Sequence, residues 1–155
     1  MSPPPDLPEV TLYTDGACKG NPGPGGWGAI LLYEGREKEL SGGNKSTTNN
    51  RMELMAVIKG LEALKQPCRV VVYSDSRYIV DAINKGWLEN WMAHGWRRGP
   101  GAKKGRGAAV RNVYLWQRLV KLLEVHQVEF HWIPGHMGYP ENERADRLAV
   151  SNIPK

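Results

Sequence analysis

Two stretches of this chain read alike. Val10-Thr11-Leu12-Tyr13-Thr14-Asp15 and Val70-Val71-Val72-Tyr73-Ser74-Asp75 are each a run of strand-forming residues closed by an aspartate. β-Branched and aromatic residues favour extended, part-buried backbone, so both read as strands with the acid where the strand leaves the core. Two such strands meeting at one edge of a sheet set their carboxylates side by side. Paired carboxylates repel, and the arrangement is costly unless a cation sits between them. The chain is therefore expected to build a divalent-metal site anchored on Asp15, followed at once by a glycine turn at Gly16.

The remaining pattern supplies the frame. Strands are expected at 9–14, 27–33 and 37–41, the last short and polar on one face, as suits an edge. Five glycines and two prolines predict irregular backbone from 15 to 26. Thr47-Thr48-Asn49-Asn50 offers N-cap residues for a helix whose Leu54, Ile58, Leu61 and Leu64 share one face, closed by Pro67. A buried strand at 69–74 follows, and strand–helix–strand predicts a parallel crossover. Helices are expected from 75 to 86, over 87–91, over 108–125 and over 141–151, with a last strand at 127–133. Four prolines in residues 1–8 predict a disordered lead-in. Residues 9–152 suffice for a single domain with one core.

Four acids fall at comparable places in this frame: Asp15 and Asp75 at strand ends, Glu53 in the first turns of a helix, Asp146 inside the final helix. Taken singly, Asp75 reads equally as a helix cap, and Asp146 as a surface acid paired with Arg144 or Arg147. Together they fit a parallel sheet that brings strand ends and neighbouring helices to one crevice. Mg²⁺ takes oxygen ligands and keeps several waters, so it needs few protein groups. His136 lies in a loop between Gly135 and Met137-Gly138, where an imidazole titrating near neutrality can pass a proton.

The net charge is +5, and its distribution says more than its sum. No acid occurs between Glu89 and Glu124, whereas Arg97, Arg98, Lys103, Lys104, Arg106 and Arg111 cluster there with Trp87, Trp91 and Trp96 interleaved. One-signed charge with tryptophans points to phosphate binding. Trp116 and Trp132 are expected in the core, and His94 and His126 at the surface. Cys18 and Cys68 form no zinc pattern with the four histidines and are expected as free thiols. No apolar run reaches membrane length and no signal-peptide core is present, which predicts a soluble cytoplasmic protein.

Tyr13-Thr14-Asp15-Gly16, Gly20-Asn21-Pro22-Gly23, Thr48-Asn49-Asn50-Arg51-Met52-Glu53, Ser74-Asp75-Ser76 and Gly135-His136 with Glu141-Asn142-Glu143-Arg144-Ala145-Asp146 resemble bacterial type 1 ribonuclease H, in order, from Val10 to Val150. The resemblance implies an α/β ribonuclease H-like fold: a five-stranded mixed sheet, its first three strands antiparallel and its last two parallel, flanked by helices. It implies hydrolysis of the RNA strand of an RNA–DNA hybrid, leaving 5′-phosphate and 3′-hydroxyl ends. Asp15, Glu53, Asp75 and Asp146 would hold two Mg²⁺ ions, with Mn²⁺ able to substitute, and His136 would assist catalysis and product departure. Asn21, Asn49, Asn50 and Arg77 would contact the minor groove and backbone, and Thr48 a DNA phosphate. Arg77 stands where the family often has glutamine. The basic segment, about 87–111, corresponds to the family's handle for the DNA strand, to which Trp87, Trp91, Trp96, Lys103, Lys104 and Arg106 would contribute. The expected form is a monomer. A resolvase- or integrase-like nuclease of the same architecture is disfavoured by the Asn49-Asn50 pair and the handle, and a non-catalytic hybrid-binding module by the presence of all four carboxylates.

Overall fold

The chain folds as β1 (Glu9–Cys18), β2 (Gly23–Tyr33), β3 (Arg36–Thr47), α1 (Asn49–Glu62), β4 (Arg69–Ser74), α2 (Arg77–Asn84), α3 (Trp87–Ala93), β5 (Arg97–Arg98), β6 (Ala108–Ala109), α4 (Val113–Val125), β7 (Gln127–Trp132) and α5 (Pro140–Ser151). This computed structural model describes residues 7–135 and 138–155. One sheet has the order β3-β2-β1-β4-β7, and β5 and β6 form a separate two-stranded ladder. β1 pairs antiparallel with β2 and β2 with β3, while β1–β4 and β4–β7 are parallel. This is the expected mixed sheet, with β1 at its centre.

Alternation along the central strands sets the core. Leu12, Val70 and Val72 are fully buried on the face that α1 covers. Thr48 caps α1, its Oγ1 accepting from Arg51 N at 3.2 Å. Leu54, Val57, Ile58 and Leu61 then lose all exposure. At roughly 1.5–3 kcal/mol for each such side chain, this burial rather than helix propensity holds α1 in place.

The sequence reading and the structure differ at three segments. Residues 15–26 are mostly strand, β1 running on to Cys18 and β2 starting at Gly23. Gly16, Gly23, Gly25 and Gly26 mark places where another backbone approaches, and only Gly20 sits in the bend between the strands, with φ 82°. β3 is likewise longer than expected and pairs with β2 as far as Thr47. Ala108 and Ala109 leave the expected helix to pair with Arg98 and Arg97. Asn112 follows in the left-handed region (φ 60°), which no helix interior accepts, so α4 starts only at Val113.

His126 was expected at the surface and is buried. Its Nδ1 accepts a hydrogen bond from Cys68 N at 3.1 Å, so the ring is neutral with its proton on Nε2. Burial lowers its pKa from the ordinary histidine value. The unfolded chain therefore takes up this proton first as pH falls. The stabilising effect is complete above the unfolded pKa and is lost as pH drops towards the depressed folded one. Denaturant unfolding between pH 7.5 and 5 is expected to show a loss of stability that His126→Asn, which keeps an acceptor but does not titrate, shows to a smaller extent. An equal slope in the variant would exclude the histidine as its source.

Candidate active site

Parallel pairing of β1 with β4 aligns Thr14 with Ser74, so the next residues, Asp15 and Asp75, leave the sheet level with each other. α1 carries Glu53 up to them. One oxygen from each of Asp15, Glu53 and Asp75 lies within 4.8 Å of the others. Asp15 and Glu53 are buried, with 5% and 3% of their surfaces exposed. The backbone N–H of Gly16 lies 2.9 Å from both Asp15 Oδ1 and Glu53 Oε1 and ties strand to helix. A Cβ at Gly16 would stand 2.5 Å from Glu53 N and 2.6 Å from the carbonyl carbon of Met52. The missing side chain lets α1 rest directly on β1.

Asp146 arrives by a different route. α5 lies across a strip of β2 that carries no side chains: a Cβ at Gly26 would land on the carbonyl of Ala149, and one at Gly28 on that of Ala145. Because Gly28 pairs with Asp15, the residue after Ala145 is delivered to the carboxylate cluster. Asp146 lies close enough in this cleft to add to the rise of the Asp15 pKa. Arg144 holds the same helix to β3 through Glu37 Oε2 at 2.8 Å and Glu39 Oε2 at 2.7 Å. All four carboxylates line one cleft of about 390 Å³, together with Asn49, Asn50 and Arg77.

The electrostatics of this cleft are unfavourable by themselves. Burial raises the Asp15 pKa far above the usual carboxylate range, and the charge of Glu53 adds to it. Glu53 is raised as well, by burial and then by the charge of Asp75. Among the described residues, Glu53 Oε2 is buried without a hydrogen-bond partner. A hard divalent cation takes such an all-oxygen donor set, fills the open valence of that oxygen and replaces the protons the cluster otherwise retains. The residues present thus fit a divalent ion.

The other expected site residues are distributed around the cleft. Asn21 Oδ1 accepts from Asn49 N at 3.3 Å, so it joins the β1–β2 loop to the start of α1, beside the Thr48 cap. His136 lies outside the described residues. Its neighbour Gly135 abuts the site, since a Cβ there would be 2.7 Å from Asp75 Oδ2. In the basic segment, Trp87 is exposed with Lys85 Nζ 5.5 Å from its ring centre. Trp91 packs edge-on against the buried Trp116 at 5.5 Å, and Trp96 also packs on the core. Lys103, Lys104 and Arg106 line a concavity of about 790 Å³ with Trp87 and Trp91.

Two features escaped the sequence reading. Gly16 reads as a turn residue and is instead the point at which α1 touches β1. Trp132 was expected in the core and is 40% exposed beside Asp75. It reads as core because it lies in a strand, but it is the last residue of β7, where the Arg77 guanidinium at the start of α2 lies over its ring.

The family model for RNase H matches residues 8–153. The chain is 58% identical over 150 residues to a ribonuclease H of Bradyrhizobium diazoefficiens, covering 97% of this chain and 93% of that one. It is 56% identical over 146 residues to a ribonuclease H of Desulforamulus reducens, covering 94% and 88%. Among solved structures it resembles LC9-RNase H1, a type 1 RNase H with the type 2 active-site motif, at a TM-score of 0.83 and 37% identity over 98% of this chain and 74% of that one. It also resembles LC11-RNase H1 in complex with RNA/DNA hybrid, at a TM-score of 0.67 and 27% identity over 93% and 96%.

Proposed function

The chain belongs to the ribonuclease H family, and from that premise we propose that it is an endonuclease that hydrolyses the RNA strand of RNA–DNA hybrids, leaving 5′-phosphate and 3′-hydroxyl ends. The observation that carries this reading is the convergence of Asp15, Glu53 and Asp75, with Asp146 on the same cleft. Two divalent ions bound there, Mg²⁺ or in its place Mn²⁺, would supply Lewis acidity to an attacking water and to the departing 3′-oxygen. Asp15 and Asp75 hold the cluster from the strand ends, Glu53 from the buried wall and Asp146 from α5. The Gly16 N–H fixes the orientation of Asp15 and Glu53 before substrate arrives. Asn49 and Asn50 offer both donors and acceptors at the cleft, which suits a 2′-hydroxyl that must both give and take a hydrogen bond. Asn21 and Thr48 support the same helix start and suit backbone contacts. His136 passes a proton at the departing oxygen and promotes release.

The protein is read as one nuclease domain over 9–152, acting as a monomer. The free thiols Cys18 and Cys68 suit a reducing cytoplasm. The test is cleavage of labelled RNA–DNA, RNA–RNA and DNA–DNA duplexes with and without Mg²⁺. Only the RNA of the hybrid is expected to be cut, and only with the ion. Cutting of the DNA strand, or cleavage in chelator, would refute the reading.

The handle makes a separate prediction. Replacing Lys103, Lys104 and Arg106 with Ala is expected to weaken hybrid binding and lower the slope of log affinity against log salt by roughly 0.7–0.9 for each phosphate that is no longer neutralised. An unchanged slope would show that these side chains do not face the nucleic acid.

A further inference from the structure

Trp132 is a large apolar side chain left 40% exposed at the rim of the carboxylate cleft, and both ends of its indole are occupied. Nε1 donates to the backbone carbonyl of Asp75 at 3.2 Å. The ring face lies under the Arg77 guanidinium, with Cζ 4.1 Å from the ring centre. The indole therefore bridges the metal-binding strand end and the first residue of the helix that follows it.

Helix stability does not account for Arg77. It is the first residue of α2, after the Ser76 cap whose Oγ accepts from Ile79 N at 3.4 Å. A cation there faces the positive end of the helix dipole and is disfavoured. What the position does give is access, because Arg77 lines the cleft beside Asn50 and Asp75. A guanidinium lying over a ring keeps its N–H groups in its own plane, so the stacked group still presents an edge of donors. An unsupported arginine at this exposed site would have to lose its side-chain freedom when substrate binds.

We propose that Trp132 is a positioning residue: it holds the Arg77 guanidinium as a preformed donor edge for the acceptors that a hybrid duplex shows in its minor groove, namely purine N3, pyrimidine O2 and the 2′-oxygen. The proposal rests on the hybrid-nuclease reading and deepens it. Arg77 touches the substrate, and Trp132 acts through it. Because this interaction serves binding rather than the reacting phosphate, its removal appears in KM.

The test compares KM and kcat on an RNA–DNA hybrid for wild type, Trp132→Leu, Trp132→Phe, Arg77→Gln and the doubles Trp132→Leu/Arg77→Gln and Trp132→Phe/Arg77→Gln, with thermal unfolding in parallel. Leu keeps apolar bulk and removes the π face, whereas Phe keeps the face and removes the N–H. Trp132→Leu is expected to raise KM by about two- to five-fold with kcat little changed, and Trp132→Phe to stay near wild type. In the Arg77→Gln background, Trp132→Leu is expected to have no further effect on KM. An unchanged KM in Trp132→Leu, or an equal increase in both backgrounds, overturns the proposal. A wild-type protein that leaves the hybrid uncut refutes the nuclease reading itself. An active wild type with additive substitutions refutes the role of Trp132 alone.

Discussion

Asp15→Asn is expected to yield a folded protein that binds an RNA–DNA hybrid and does not cut it. Asp15 is the carboxylate on which the others converge, close to Glu53, Asp75 and Asp146. The amide keeps the shape and removes the anionic ligand. Losing metal-supplied stabilisation of several kcal/mol corresponds to a fall in kcat of about 10³-fold or more. Stability without metal should move the other way. The folded pKa of Asp15 is raised by burial and by Glu53, so the protonated form favours folding, and this benefit is lost as pH rises from the unfolded towards the folded pKa. At neutral pH the group therefore works against the fold, and the amide relieves it. The measurements are turnover, together with melting temperature in chelator and in Mg²⁺. We expect a higher Tm than wild type in chelator and little further rise with the ion, since a ligand stabilises only the state that binds it. Turnover like that of wild type would sink the metal assignment.

Gly16→Ala should slow cleavage about 10²-fold, with the opposite signature in stability. The added methyl group meets Glu53 N and the carbonyl carbon of Met52, both backbone atoms that cannot rotate away. α1 must lift from β1, and Glu53 lifts with it. Overpacking of this kind costs about 1–3 kcal/mol, which lowers Tm by roughly 2–4 °C per kcal/mol for a chain of this size. Displacing a catalytic group by about 1 Å can cost 10²-fold in rate. The pair of variants thus separates two causes of inactivity: loss of a ligand with a stabilised fold, and loss of geometry with a weakened one. A Gly16→Ala protein with wild-type Tm and turnover would show that α1 does not rest on β1 in solution.

Much of this arrangement was legible beforehand because it depends on local chemistry. The two runs ending at Asp15 and Asp75 gave two strands able to meet at one sheet edge with a carboxylate at the end of each. The Thr48 cap and the apolar face behind it gave α1, and hence Glu53. What the sequence did not disclose depends on partners distant along the chain. Gly26 read as a loop residue and Gly28 as an ordinary strand position, because nothing nearby indicates that α5 will press against them. Ala108 and Ala109 read as helix because their propensity carries no trace of the ladder they join. His126 read as surface because its acceptor role depends on Cys68. Trp132 read as core because it lies in a strand, but it is the last residue of β7, and what lies over its ring is the Arg77 guanidinium rather than an apolar face.

The seating of α5 on β2 also has a consequence for the order of synthesis. Asp15, Glu53 and Asp75 belong to the first half of the chain, whereas Asp146 rides on the last helix and reaches them only by docking on Gly26 and Gly28. A nascent chain elongating at about 5–20 residues per second can assemble β1, α1 and β4 while α5 is still inside the ribosome. Such an intermediate lacks its fourth carboxylate. Nuclease activity is thereby expected only after the final helix has emerged and docked on β2.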